Sequence, residues 1–277
     1  LESDLTRLSS GGRLHGILNG CEYEEESKAG KRPSRGGLLE HARACLLKWI
    51  GTKQQIPAAW FHAEQRLQEW KLERQREHIV VASVGRLTPQ KVSLLQVRLD
   101  SGRFVLDELL ERLGSGCFMM LGSGDPACET FMVEAMRRHP NFLFLCGYAE
   151  QLGNMLYQYC DLFLMPSSYE PCGISQLLAM RAGKPVLVHA VGGLADTVQH
   201  GANGFSFSGA DEQEQAVNLV QVFGEALQVH DSRLPEWRKL CRAAAATRFT
   251  WDDTVARYLQ QLYVSSPSTG ASTGAMQ

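Results

Sequence analysis

Five short segments dense in apolar residues constrain this chain more than any other feature: IVVASV at 79–84, CFMML at 117–121, FLFLC at 142–146, DLFLM at 161–165 and VLVHA at 186–190. Their apolar residues run together rather than alternating, the pattern of strands covered on both faces. Helix-like stretches lie between them, at 104–113, 127–138, 150–159 and 174–182. Strand alternating with helix at this spacing predicts an α/β fold built on a mostly parallel, doubly wound sheet. GFSFS at 204–208 is a candidate sixth strand. Helices are expected ahead of the first strand, at 37–50 and 58–76, and after the last, at 212–227, at 236–247 and from Trp251 onward.

Composition narrows the function by exclusion. The 28 basic residues against 30 acidic leave a net charge of -2, so no nucleic-acid footprint is present. The most basic passage, KLERQREH at 71–78, is interleaved with acids and reads as a solvated helix face. No run approaches the length of a membrane span, and the N-terminal LESDLTRLSSGGRL has neither a basic nor an apolar leader region. The chain does not start with Met, which fits a fragment or a processed chain. None of the eight cysteines forms a CxxC pair, and Cys117 and Cys146 fall inside apolar runs. They read as thiols of a reducing compartment, the cytoplasm, rather than as a disulfide framework or metal site.

In an open α/β sheet, ligands bind beyond the carboxyl ends of the strands, near helix N-termini. Four loops fall there: GRLTPQK at 85–91, GSGD at 122–125, GY at 147–148 and SSYEPCGIS at 167–175. GSGD is equally a tight turn. In GRLTPQK, Arg86 and Lys91 leave the strand together with Pro89 stiffening the loop between them, which suits a two-point clamp on a phosphate or diphosphate as well as a pair of surface charges. In the fourth loop Pro171 restrains Glu170 to extended geometry and Gly173 permits close backbone approach. The helix starting near Ile174 offers free N–H groups, to which Ser175 adds a hydroxyl. Glu170 suits sugar hydroxyls or a developing positive charge, or else caps the helix. Cys172, at a helix start, is a weaker candidate as a nucleophile. Farther on, Gly192 and Gly193 suit a turn over the ligand, with Asp196 and Thr197 opening the next helix.

Taken together, PSSYEPCGISQL, GGLADTV and GRLTPQK resemble the bacterial glycogen synthases and plant starch synthases, and GRLHGILNG at 12–20 is similar to that family's interdomain linker. The resemblance implies a retaining transfer of glucose from ADP-glucose, or UDP-glucose, to an α-1,4-glucan. It also implies the C-terminal half of a two-domain GT-B fold, each half Rossmann-like. By the same resemblance Arg86 and Lys91 hold the donor diphosphate and Glu170 sits by the glucosyl ring. Backbone N–H groups from Cys172, Gly173, Ile174 and Ser175 contact glucose and phosphate, and Tyr148 stacks on the base. Fixed positive charge and helix N-termini aimed at a departing diphosphate give the physical reason. Neither a cofactor nor a metal is implied.

The boundaries that follow are a linker remnant at 1–33, a helical segment at 34–76, a nucleotide-sugar-binding domain with C-terminal helices at 77–263, and a disordered tail at 264–277. Three departures stand out. Val92 replaces the glycine usual after the loop lysine, Cys21-Glu22 replace an Asp after ILNG, and the chain is expected to carry only the second of the family's two domains, without the N-terminal catalytic one. None of His15, His41, His62 or His78 replaces that domain's catalytic set, so the chain by itself is expected to be poorly active. Its last helix, with Trp251 and Tyr258, is expected to seek the missing domain. A non-catalytic nucleotide-sugar or glucan-binding module remains an alternative, as does a transferase with another acceptor. A dinucleotide-binding dehydrogenase is disfavoured, since no GxGxxG follows the first strand.

Overall fold

Each of the six apolar segments forms a strand, and all six join one parallel sheet: β1 (Val80–Val84), β2 (Cys117–Gly122), β3 (Phe142–Cys146), β4 (Leu162–Met165), β5 (Val186–His189) and β6 (Phe205–Phe207), in the order β3-β2-β1-β4-β5-β6. This is the doubly wound Rossmann order, with the topological switch between β1 and β4. Register is continuous from Val80 opposite Cys117 to His189 opposite Phe207. Consecutive residues of β4 and β5 are buried, as a sheet covered on both faces requires. The computed structural model describes residues 14–23, 33–72 and 79–263, with Arg7, Ser9 and Ser10. The tail expected at 264–277 and most of the basic 71–78 passage lie outside the described residues.

The helices are α1 (Arg35–Ile50), α2 (Ala58–Leu72), α3 (Pro89–Gln96), α4 (Val105–Leu113), α5 (Pro126–Arg138), α6 (Glu150–Tyr159), α7 (Ser175–Arg181), α8 (Gly192–Thr197), α9 (Glu212–Ser232), α10 (Leu234–Ala246) and α11 (Trp251–Tyr258), followed by a wider turn, Leu259–Tyr263. Local signals set many of the starts. The Ser34 hydroxyl accepts from Gly37 N, and the Asp125 carboxylate from Ala127 N and Cys128 N. Prolines stand in the first turns of α3, α5 and α10, where a missing N–H costs nothing. Two short helices were not expected. Pro89 opens α3 instead of stiffening a loop, so Lys91 rides on a helical turn. Asp196 and Thr197 close α8 instead of opening a helix.

The chain divides into two compact units, residues 24–248 and residues 1–23 with 249–277. The helical segment expected at 34–76 thus belongs with the sheet, while the last helix groups with the N-terminal segment. In the smaller unit the GILNG stretch is tied to α11. Cys21 N donates to Phe249 O at 2.7 Å, and Thr254 Oγ1 to Leu18 O at 2.9 Å. A Cβ at Gly20 would lie 2.4 Å from Trp251 N, so only glycine fits there.

In the larger unit, α2 runs along β3, the edge strand of the sheet. Trp60 Nε1 donates to Cys146 O at 2.6 Å at one end, and Trp70 Nε1 to Pro140 O at 2.9 Å at the other. Between them the buried Arg66 guanidinium donates to Met136 O (2.9 Å), His139 O (2.5 Å) and Phe142 O (3.0 Å), and pairs with Glu69. A cation at the C-terminus of α5 also suits the helix dipole. Arg66→Ala would leave several carbonyls unpaired in a buried place. It is expected to cost about 2–3 kcal/mol, from the usual worth of hydrogen bonds to charged groups. Urea denaturation measures this, and an unchanged midpoint would show that the cross-link adds nothing.

Candidate functional site at the switch point

The loops after β1 and β4 leave the sheet in opposite directions, and the candidate residues gather in the gap between them. Lys91, on the first turn of α3, is ion-paired with Glu170, which follows β4. The glutamate is 6% exposed, and the ammonium compensates the desolvation of its carboxylate. Arg86 stands beside β1 with its side chain exposed and without a partner among the described residues. Tyr148, at the end of β3, is 80% exposed. Fixed and free positive charge thus lie on the β1 side, a paired carboxylate on the β4 side, and an open aromatic ring two strands away.

The loop holding Glu170 is fastened through its carbonyls. His189 Nδ1 contacts Ser167 O at 3.0 Å, and because a carbonyl only accepts, that nitrogen carries the proton. Gln90 Nε2 donates to Tyr169 O at 2.7 Å, and Gly193 N donates to Glu170 O at 3.0 Å. Three carbonyls are therefore held by three elements, β5, α3 and α8. Gly192 and Gly193 serve this contact rather than standing free over a ligand. A Cβ on Gly192 would approach Glu170 O to 2.1 Å, and one on Gly193 would approach Cys172 O to 2.3 Å. Gly192 also has φ +46, and Gly173 φ +77, both favouring glycine. Gly193→Ala, which needs no left-handed backbone, is expected to push the Glu170–Cys172 turn aside. Hydrogen exchange of residues 168–173 should speed up at least about tenfold, an opening cost above 1.4 kcal/mol; unchanged protection would mean the turn yields freely.

The remaining candidates lie around the start of α7 and the end of β2. The Ser175 hydroxyl faces inward, donating to Val84 O at 3.3 Å and accepting from Tyr157 OH at 3.1 Å, so it adds nothing to an anion pocket. Ile174 precedes α7 with its side chain exposed, and Cys172 Sγ is directed at Gly173 O. The GSGD glycines are structural. A Cβ on Gly122 would meet Gly85 O at 1.9 Å and one on Gly124 would meet Leu87 O at 2.2 Å, so they let the Arg86 loop lie against the end of β2. Val92, which stands where the family usually has glycine, is a buried residue of α3 and helps anchor it.

Three contributors carry little or no sequence signal of a site. Gln90 sits beside Lys91 but reads as a surface residue. His189 ends β5, and its ring stacks on Phe207 at 5.0 Å. Trp49 packs so closely on Gly147 that a Cβ there would lie 2.8 Å from its ring, which sets the backbone leading into Tyr148. A composition-level hint exists only for His189, a lone polar residue in an apolar strand. The eight cysteines are free thiols, and burial, with a smaller push from Glu129, raises Cys146 to about 12. Among the described residues, no group of three His, Cys, Asp or Glu could hold a metal ion.

Burial holds the His189 pKa below its ordinary value, partly opposed by the Ser167 hydrogen bond. The unfolded chain therefore takes up this proton first. The stability involved is complete above pH of about 6.5, and is lost as pH falls below that value until the folded histidine protonates too. Denaturant unfolding from pH 7.5 to 5 should show a steeper loss for the native chain than for His189→Gln, whose side chain keeps a donor but does not titrate. Parallel profiles would remove His189 from the pH dependence.

A six-stranded Rossmann sheet with a lysine–glutamate pair and an arginine at its switch point is an α/β domain of the kind found in GT-B folds. Residues 78–225 match the family described as glycosyl transferases group 1, and the chain belongs to that family. Similar proteins include a glycogen synthase of Moorella thermoacetica, 32% identical over 255 residues, covering 90% of this chain and 47% of that protein. Another, from Anaeromyxobacter sp., is 34% identical over 258 residues, covering 91% and 49%. The chain thus spans about half the length of these relatives. Among solved structures, the catalytic domain of starch synthase IV from Arabidopsis thaliana, bound to ADP and acarbose, has a TM-score of 0.65 at 24% identity, covering 94% of this chain and 50% of that one. HepE of Anabaena in complex with UDP-glucose has a TM-score of 0.53 at 22% identity, covering 73% and 52%.

Proposed function

We propose that this chain is the donor-binding half of a glycogen or starch synthase-like enzyme, which transfers glucose from ADP-glucose to an α-1,4-glucan with retention. The observation that carries the reading is the Lys91–Glu170 pair at the switch point, with Arg86 open beside it. The arrangement matches the needs of a nucleotide sugar. Arg86 forks onto two diphosphate oxygens while Lys91, a point charge on a flexible stem, moves from the carboxylate to the phosphates. Glu170 is thereby released to accept hydrogen bonds from sugar hydroxyls and to face positive charge developing at the anomeric carbon. As the glycosidic C–O bond to the phosphate breaks, the leaving diphosphate gains negative charge between Arg86 and Lys91. Backbone N–H groups over Cys172–Ser175 add donors, and the exposed Tyr148 ring offers a face for the base.

The reading extends to a partner. Trp251, Val255, Tyr258, Leu259 and Leu262 recur at helical spacing, and all are exposed. Such a stripe suits the other domain of a GT-B enzyme, in keeping with relatives twice this length, and that domain would supply acceptor contacts and exclude water. Free thiols throughout fit a reducing compartment, and we place the protein in the cytoplasm. No helix among the described residues is long and apolar enough to cross a membrane.

The test is calorimetric titration of ADP-glucose, UDP-glucose and ADP into the chain. Saturable binding of ADP-glucose is expected, with Arg86→Ala and Lys91→Ala each weakening it about ten- to a hundredfold, the worth of a charge-assisted hydrogen bond. Glu170→Ala should weaken the nucleotide sugar but not ADP. Supplying the N-terminal half of a glycogen synthase should then produce glucosyl transfer. Absence of binding at millimolar ligand in a folded chain would overturn the donor-site reading. Binding without turnover in the reconstituted pair would favour a binding module.

A further inference from the structure

Besides the Lys91–Glu170 ion pair, the loops carrying these residues are joined across the switch point by Gln90. Its side-chain Nε2 donates to Tyr169 O at 2.7 Å. Its own carbonyl accepts from Ser168 N at 2.8 Å and from Ser168 Oγ at 3.1 Å. The two kinds of bond differ in what they ask of the sequence. Any residue supplies a carbonyl, but only a side chain of this length with an N–H donor reaches Tyr169 O. That carbonyl belongs to the peptide unit whose nitrogen is Glu170 N, and the unit is planar. Fixing its oxygen therefore fixes one of the two planes about which Glu170 turns. Gly193 N, bonded to Glu170 O, fixes the other.

Gln90 is placed to transmit this constraint. Pro89 stands at the helix start, and Lys91 N and Val92 N both donate to Thr88 O, so the first turn of α3 is set independently of the Gln90 side chain. Lys91 and Gln90 thus leave the same rigid turn, one toward the Glu170 carboxylate and the other toward the peptide plane ahead of it. We propose that Gln90 is a positioning residue that holds Glu170 at the sugar end of the site, in register with Lys91 at the phosphate end. The proposal deepens the donor-site reading above and rests on it for the identity of the ligand. It makes a distinctive demand: loss of the Gln90 amide should be felt by the sugar and not by the diphosphate, because Arg86 and Lys91 keep their own supports.

Gln90 is exposed, so its replacement leaves the core intact. Gln90→Met keeps the length and removes the donor, while Gln90→Lys restores an N–H within reach. In the full chain, titration with ADP-glucose and ADP should show Gln90→Met weakening ADP-glucose about three- to tenfold, the effect of one ordinary hydrogen bond. ADP should change by less than about twofold on the same scale, and Gln90→Lys should recover the affinity ratio between the two ligands. Without any ligand, the Ser168 amide should exchange faster in Gln90→Met than in the native chain. An unchanged ADP-glucose to ADP ratio, or equal weakening of both, overturns the proposal. If the native chain binds neither nucleotide, the donor-site reading fails and exchange decides by itself. Faster Ser168 exchange then upholds the staple, and unchanged exchange overturns it.

Discussion

Where β1 and β4 lie side by side, their connections must run to opposite sides, and the gap this leaves cannot be closed by the sheet. The strand ends on either side present carbonyl and amide groups that need partners. Here those partners come from elements distant in sequence. Leu121 O of β2 and Ser123 O just beyond it accept from Gly85 N and Leu87 N, while β5, α3 and α8 hold the carbonyls of the Glu170 loop. The rim of the crevice is thereby hydrogen-bonded from several elements.

Within that rim the charges are arranged for exchange. A buried carboxylate without compensation would be costly or would take up a proton. Pairing with Lys91 compensates that burial. In the donor-site proposal this one ammonium both neutralises Glu170 and meets a diphosphate, and Arg86, without a partner among the described residues, adds a second positive charge.

The fold was legible in the sequence to a large degree because the six apolar runs are continuous, a signal that survives without knowledge of tertiary contacts. The reach of α9 to Ser232 was cut short by five residues, and α3 and α8 were read as loop or turn. Both are short, and each begins where Pro89 or paired glycines also signal a turn. The placement of Glu170, Arg86 and Lys91 beyond the strand ends was legible because charge there has few structural uses. Gln90, His189 and Trp49 were not. Their roles depend on contacts with residues 79, 22 and 98 positions away, taking Tyr169, Ser167 and Gly147 respectively, and no local period encodes such pairings. The role of the Ser175 hydroxyl is illegible for a related reason: at a helix start it looks available, and only the contacts with Val84 and Tyr157 show it occupied.

The run of α2 along β3 carries a consequence for how this protein behaves in a crowded solution. FLFLC is a short, uncharged, strongly apolar strand at the margin of a sheet, the kind of segment that templates pairing between molecules. Trp60, Arg66 and Trp70 occupy carbonyls along or beside that margin. At the opposite margin, β6 is only three residues long, too brief to recruit a neighbour. The hairpin of α1 and α2 therefore sets where the sheet stops, and a folding chain in which it docked late would pass through a state prone to self-association.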